Sequence, residues 1–268
     1  MNKKQIIGLI VAAVAFICVS GSSVLINSYS SNIAKQSEES LKAVALSSDV
    51  SLPSEEFVGV VKVEGTIQSS SGRDSIFSTP QGYNHKKTLS YIDSMIKSNS
   101  NKGIILYVNS PGGGVYESDE LYLKLKEYKE KTGRPVWTYM SSRACSGGYY
   151  ISMASDKIYA NRNCWTGSIG VITSLVNVKG LYDKLGIEEI DITSGPNKAM
   201  GSSGREMTDE QRAILQSLVD EAYDQFAGIV AEGRHMDIET VKPIADGRVY
   251  SANQALQLGL IDNVDTYD

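Results

Sequence analysis

A chain of 268 residues with a net charge of −5 and 41% hydrophobic residues is long enough for one globular domain with a sizeable core. Acidic and basic residues are mixed along it, and without a basic block nucleic acid is set aside as a partner. Cys18, Cys145 and Cys164, with no CxxC spacing, and two histidines, His85 and His235, make neither a disulfide framework nor a zinc site, and no motif calls for a cofactor.

In chain order, Lys3 and Lys4 precede an uncharged run in which residues 6–26 are long enough to span a bilayer as a helix, for which ~20 residues are needed. The lysines favour a cytoplasmic N-terminus and place the rest of the chain outside. A cleaved signal peptide is the rival reading, with cleavage among the small residues Ser20, Gly21, Ser22 and Ser23; apolar character resumes at Val24, which favours an uncleaved anchor. The domain boundaries expected are a cytoplasmic tip and transmembrane anchor over 1–29, a polar tether over 30–55 with a short helix near 33–45, and a folded domain over 56–268.

The folded part opens with a strand at 57–63 and a helix at 85–97. The continuous apolar run 103–108 reads as a strand buried on both faces. An amphipathic helix over 117–131 ends at Gly133, and a strand at 135–140 leads through a Gly-rich turn into a helix over 147–154. Short strands follow at 157–160 and 168–173, then a helix over 175–185 and a strand at 188–192. Thr208, with Asp209 and Glu210 behind it, opens a long helix to about residue 232, and 251–258 is a last short helix. Strands alternating with helices predict an α/β domain with mostly parallel strands.

Two segments carry candidate chemistry. Asn109-Ser110-Pro111-Gly112-Gly113-Gly114 ends the buried strand, and glycines there let backbone N–H groups face a cleft without Cβ obstruction. Such a turn binds phosphate, stabilises an oxyanion, or is a plain tight turn; it lacks the Gly-Lys-Ser/Thr of a P-loop and the dinucleotide fingerprint spacing. Ala144-Cys145-Ser146-Gly147-Gly148-Tyr149-Tyr150 is a second strand-to-helix junction. Ser146 there is either a helix N-cap or a nucleophile in an elbow whose upstream glycine is replaced by Ala144.

A serine nucleophile needs a base. His85, in a basic run at a helix start, and His235, at a helix end, both read as surface residues. A lysine serves instead when burial lowers its pKa from ~10.4. Lys198, in the loop of small residues Ser194 to Gly201, is the best candidate, against the plain reading of a solvated loop lysine. Ser94-Met95-Ile96-Lys97 matches SxxK by chance, mid-helix and without partner motifs.

Together these pieces resemble the signal peptide peptidase A family, in the short single-repeat form of Gram-positive bacteria. The matching segments are Val108 to Gly114, Ala144 to Tyr150, Thr166-Gly167-Ser168-Ile169-Gly170-Val171, and Lys198 ahead of Ser203-Gly204-Arg205-Glu206-Met207-Thr208. The resemblance implies a ClpP/crotonase-like fold and a Ser–Lys dyad: Ser146 as nucleophile, Lys198 as general base, Ser168 orienting the lysine amine, and the N–H groups of Gly113 and Gly147 holding the oxyanion. It also implies a homo-oligomeric ring with the dyad shared between subunits, and as substrates the signal peptides left in the membrane after release of secreted proteins. Cys145 stands where a small residue such as Ala is usual in the family, which suggests sensitivity to thiol reagents. Three rivals remain: a crotonase-type acyl-CoA hydratase or isomerase, disfavoured by an extracytoplasmic location; an inactive scaffold, disfavoured by the joint presence of Ser146, Ser168 and Lys198; and a stomatin-associated protease, which usually carries further membrane segments.

Overall fold

A computed structural model describes residues 51–69 and 82–268. The expected anchor and most of the expected tether lie outside the described residues. Among the described residues, no helix is long and apolar enough to cross a membrane.

The elements are β1 (Phe57–Glu64), α1 (His85–Lys97), β2 (Asn101–Ser110), α2 (Val115–Thr132), β3 (Val136–Cys145), α3 (Gly147–Ser152), β4 (Lys157–Ala160), β5 (Trp165–Gly167), α4 (Lys179–Leu185), α5 (Asp209–Arg234), α6 (Ile238–Val241), β6 (Val249–Ser251), α7 (Ala252–Gln257) and β7 (Asn263–Val264), with a 3₁₀ turn at Lys242–Ile244. Strands β1-β2-β3-β4-β7 form a parallel sheet in that order, and β5 adds to β3 in parallel while β6 pairs antiparallel with β5. The α/β class with mostly parallel strands is as the alternation of elements predicts.

Why these segments become these elements is visible in their burial. Along β1 the side chains alternate, with Val61 and Val63 buried and Lys62 and Glu64 exposed, and Leu106, Val108, Met140 and Ile158 continue the buried layer across the sheet. Leu121, Leu125 and Tyr128 of α2, spaced at helical intervals, and Ile92 and Met95 of α1 close over it. Helix α1 is capped by the Asn84 side chain accepting from Lys87 N–H at 3.0 Å, α2 stops at Gly133 in the left-handed conformation, and α5 begins with a reciprocal capping box between Thr208 and Gln211. The buried carboxamide of Asn101 is held by the Tyr128 hydroxyl.

Strand β3 positions the candidate site because it takes part in two ladders. Its first half, Val136 to Met140, pairs with β2 and β4; its last residues, Arg143 to Cys145, pair with β5, and the register against β2 shifts between Val108 and Ser110. The chain leaves the main sheet at this divergence and turns into α3.

Between Gly167 and Asp209 the sequence expectations fail. Residues 168–173 are not a strand, residues 188–192 are not a strand, and the helix expected over 175–185 is confined to Lys179–Leu185. Ile172, Val176, Ile190 and Ile192 stand exposed, Ile192 at 98%. Apolar runs form strands when a neighbouring strand or covering layer completes them, and the described residues supply neither. Conversely, β6, β7 and α6 are too short to show a periodicity and went unforeseen.

Candidate active site

Ser146 sits between β3 and α3 with φ 52° and ψ −121°, a backbone conformation that a non-glycine residue holds only where its surroundings impose it. Its N–H donates to the Gly167 carbonyl at 2.8 Å, and its own carbonyl accepts from Tyr149 and Tyr150 N–H groups, each at 2.9 Å. Ser168, also at positive φ (50°), follows Gly167 just as Ser146 follows Cys145, and Cys145 and Gly167 are register partners. The two serines are therefore neighbours, and they line one cleft of about 530 Å³ with Val171, Ile172, Val219 and Tyr223. Ser168 is fixed by its N–H donating to the Arg248 carbonyl at 2.8 Å.

The glycine turn packs against this junction. Gly113 bridges to Ile67 in parallel: Ile67 N–H donates to the Gly112 carbonyl at 2.9 Å and Gly114 N–H to the Ile67 carbonyl at 2.8 Å. That pattern uses the groups flanking Gly113 and leaves its own N–H on the other side of the turn. The turn is close enough that a Cβ on Gly112, whose φ is +104°, would lie 2.7 Å from the Ser146 Cβ and 2.8 Å from the Gly147 nitrogen. A Cβ on Gly147 would lie 3.2 Å from the Gly113 nitrogen. Gly147 is the first residue of α3, so its N–H has no acceptor within the helix. Two backbone donors thus stand side by side beside the Ser146 side chain, an arrangement suited to an anionic oxygen.

Lys198 does not join them within one chain. It is exposed, in the turn-rich loop before α5, and is not among the residues lining the cleft. That loop is tied to α5 through Gln211 Nε2 donating to the Pro196 carbonyl at 3.2 Å. Among the described residues, nothing buries Lys198 as a lysine base would need.

Two expectations need correction. His85 is buried, 3% exposed, with Tyr83 on Nδ1 and Glu120 Oε2 at 2.7 Å from Nε2; its basic sequence neighbours masked an inward-facing helix position. His235, by contrast, is exposed at the end of α5 as expected. Cys145 is buried, and burial pushes its thiol pKa up, so thiolate is scarce and the expected sensitivity to thiol reagents loses its basis. Burial, with Cys145 nearby, pushes Cys164 up to about 12; both thiols are free and donate to the Trp165 carbonyl at 3.4 Å. Residues that sequence reasoning missed are Val219 and Tyr223 of α5 and the stretch Ala245 to Gly247, which wall the cleft from 50 or more positions away in sequence with no motif to flag them.

The chain matches the Clp protease family over residues 73–172 and peptidase family S49 over residues 128–268. It is 43% identical over 204 residues to a protein of Enterococcus faecium named for signal peptide peptidase SppA, an alignment covering 76% of this chain and 58% of that one. A Synechocystis protein named as a protease is 43% identical over 61% of this chain and 58% of its own length. The chloroplastic serine protease SPPA of Arabidopsis thaliana is 31% identical over 77% of this chain and 30% of its own. The chain thus spans just under three-fifths of the first two of these relatives.

Proposed function

Because the chain belongs to peptidase family S49, a serine-protease family, and carries its ClpP-like α/β domain, we propose that it is a serine endopeptidase with a Ser146–Lys198 dyad. The observation that carries this reading is the constrained Ser146, which shares a cleft with Ser168 just beyond the Cys145–Gly167 pair and stands beside the Gly113 and Gly147 N–H groups. Ser146 Oγ attacks the peptide carbonyl as the Lys198 amine takes its proton. The tetrahedral oxyanion lies against Gly113 and Gly147. Collapse expels the amine, which receives the proton from Lys198, and water activated by the same lysine then releases the acyl group. Ser168 holds the amine in place.

Lys198 comes from a neighbouring subunit in this reading. Its exposure on its own chain and the exposed apolar side chains Ile172, Val176, Ile190 and Ile192 in the same segment support assembly into a ring in which one copy covers the cleft of the next. Coverage also removes water from the amine, which favours its neutral form. The apolar lining from Val171, Ile172 and Val219 suits signal peptides released into the membrane, and the relative named for SppA points the same way. A helix over residues 6–26 would anchor the chain, with the N-terminus cytoplasmic and the catalytic domain outside.

The test is cleavage of a fluorogenic peptide with an apolar residue before the scissile bond by the full-length chain in detergent, beside Ser146→Ala and Lys198→Ala. Both variants are inactive, and mixing them restores part of the activity through sites built from the intact serine of one and the intact lysine of the other. Mutants as active as the parent rule out the dyad; dead mutants that never complement rule out sharing.

A further inference from the structure

Helix α2 leaves the glycine turn and, one turn in, carries Ser118. Its side chain is 2% exposed. Among the described residues its hydroxyl is the one buried side-chain polar atom without a hydrogen-bond partner. Helical serines and threonines normally return such a hydroxyl to a carbonyl one turn back. Ser94, Thr132 and Ser152 do this here, at 3.0, 2.6 and 2.8 Å. Ser118 does not, although its N–H makes the ordinary bond to the Gly114 carbonyl at 3.1 Å.

The hydroxyl is turned instead toward the backbone of Gly147. A Cβ on Gly147 would meet the Ser118 Oγ at 2.3 Å and the Ser118 Cβ only at 3.3 Å, so the oxygen is the leading atom. The same point lies 3.2 Å from the Gly113 nitrogen. Ser118 Oγ therefore lies against the backbone that carries the two proposed donors. Leaving a buried hydroxyl unpaired costs about 1–3 kcal/mol, and alanine would fit there without that cost.

Resting on the reading of Gly113 and Gly147 as the oxyanion donors, we propose that Ser118 is a positioning residue of the oxyanion pocket. Its unengaged O–H swings toward the charge that develops between the two N–H groups. A hydroxyl hydrogen rotates freely about its C–O bond. With no competing bond to break, its dipole joins the two N–H dipoles during the reaction at little reorganisation cost. Because it is buried, it does not touch substrate, so its effect is weaker than that of a contacting donor and is absent while the carbonyl is uncharged.

The test uses the full-length chain in detergent and the fluorogenic peptide, comparing the parent, Ser118→Ala and Ser146→Ala. In Ser118→Ala, kcat falls about tenfold, a fraction of the effect of removing a contacting donor. KM is unchanged, the melting temperature is equal or higher, and a peptide aldehyde, whose adduct with the serine carries the tetrahedral oxygen, binds about tenfold more weakly. A kcat within about twofold of the parent overturns the proposal. A rate loss accompanied by a lower melting temperature also overturns it, since the hydroxyl is then structural. If Ser146→Ala cleaves like the parent, the serine-nucleophile reading fails and this proposal falls with it, whereas an inactive Ser146→Ala beside an unaffected Ser118→Ala removes this proposal alone.

Discussion

Replacing Gly113 by alanine tests the oxyanion geometry at its tightest point. The added Cβ would lie 1.8 Å from the Ile67 carbonyl oxygen, where Cβ atoms are essentially never found under 3.0 Å, so the two backbones must part by more than an ångström. The collision is with backbone, so no side-chain rotation relieves it. The parting breaks the bridge in which Gly114 N–H donates to that same oxygen at 2.8 Å, and it moves the Gly113 N–H away from its place beside Gly147. Loss of one such donor costs about 10²- to 10³-fold in kcat, roughly 3–4 kcal/mol of transition-state stabilisation. KM should change by less than about threefold, because the ground-state carbonyl carries little charge. Steady-state cleavage of the fluorogenic peptide, with a melting curve to show that the domain still folds, measures both. A folded Gly113→Ala variant with kcat within about threefold of the parent refutes the placement of the oxyanion between Gly113 and Gly147.

Two further predictions follow from the packing. Burial pushes the Asp262 carboxyl up, but Arg234, the Ile158 N–H and Lys157 outweigh it and hold its pKa below the usual value. The carboxylate ties β4 to the end of α5, accepting from Ile158 N–H at 2.7 Å and Arg234 Nη1 at 3.1 Å. A depressed folded-state pKa contributes stability above the unfolded value and loses it as pH falls through the folded one. Asp262→Asn should therefore cost about 1 kcal/mol at neutral pH, allowing for partial exposure, and urea melts of parent and variant should draw together progressively as pH falls below about 4; a difference that persists undiminished or grows in acid contradicts the assignment. For Cys145, iodoacetamide at pH 7 should leave the peptidase rate within about twofold of untreated enzyme, because burial keeps the thiol protonated and covered; rapid stoichiometric inactivation, absent in Cys145→Ala, would show that the thiol is accessible after all.

Local chemistry made much of this protein legible in its sequence. The strand at 103–108, the helix ending at Gly133, the helix start at Thr208 and the Ser146 strand-to-helix junction each depend on residues within a few positions of one another, and each is readable without the fold, although Ile105 and Tyr107 are only partly buried where burial on both faces is expected. The apolar segments between residues 168 and 192 were not, because strand formation depends on a partner that a linear pattern does not name. His85 was misread for a related reason: its neighbours Lys86 and Lys87 describe one face of α1, while burial is set by which face meets α2. The residues themselves nominate Ser146 and Lys198, and the family resemblance adds Ser168, Gly113 and Gly147, but only the tertiary structure decided which of them meet. Pairing of Cys145 with Gly167 brings Ser146 beside Ser168, and the bridge from Ile67 to Gly113 brings the glycine turn against α3. No comparable contact brings Lys198 into the cleft of its own chain. A parallel sheet joins positions through hydrogen bonds between strands far apart in sequence, so the site's composition is written locally while its geometry exists only once those long-range ladders have formed.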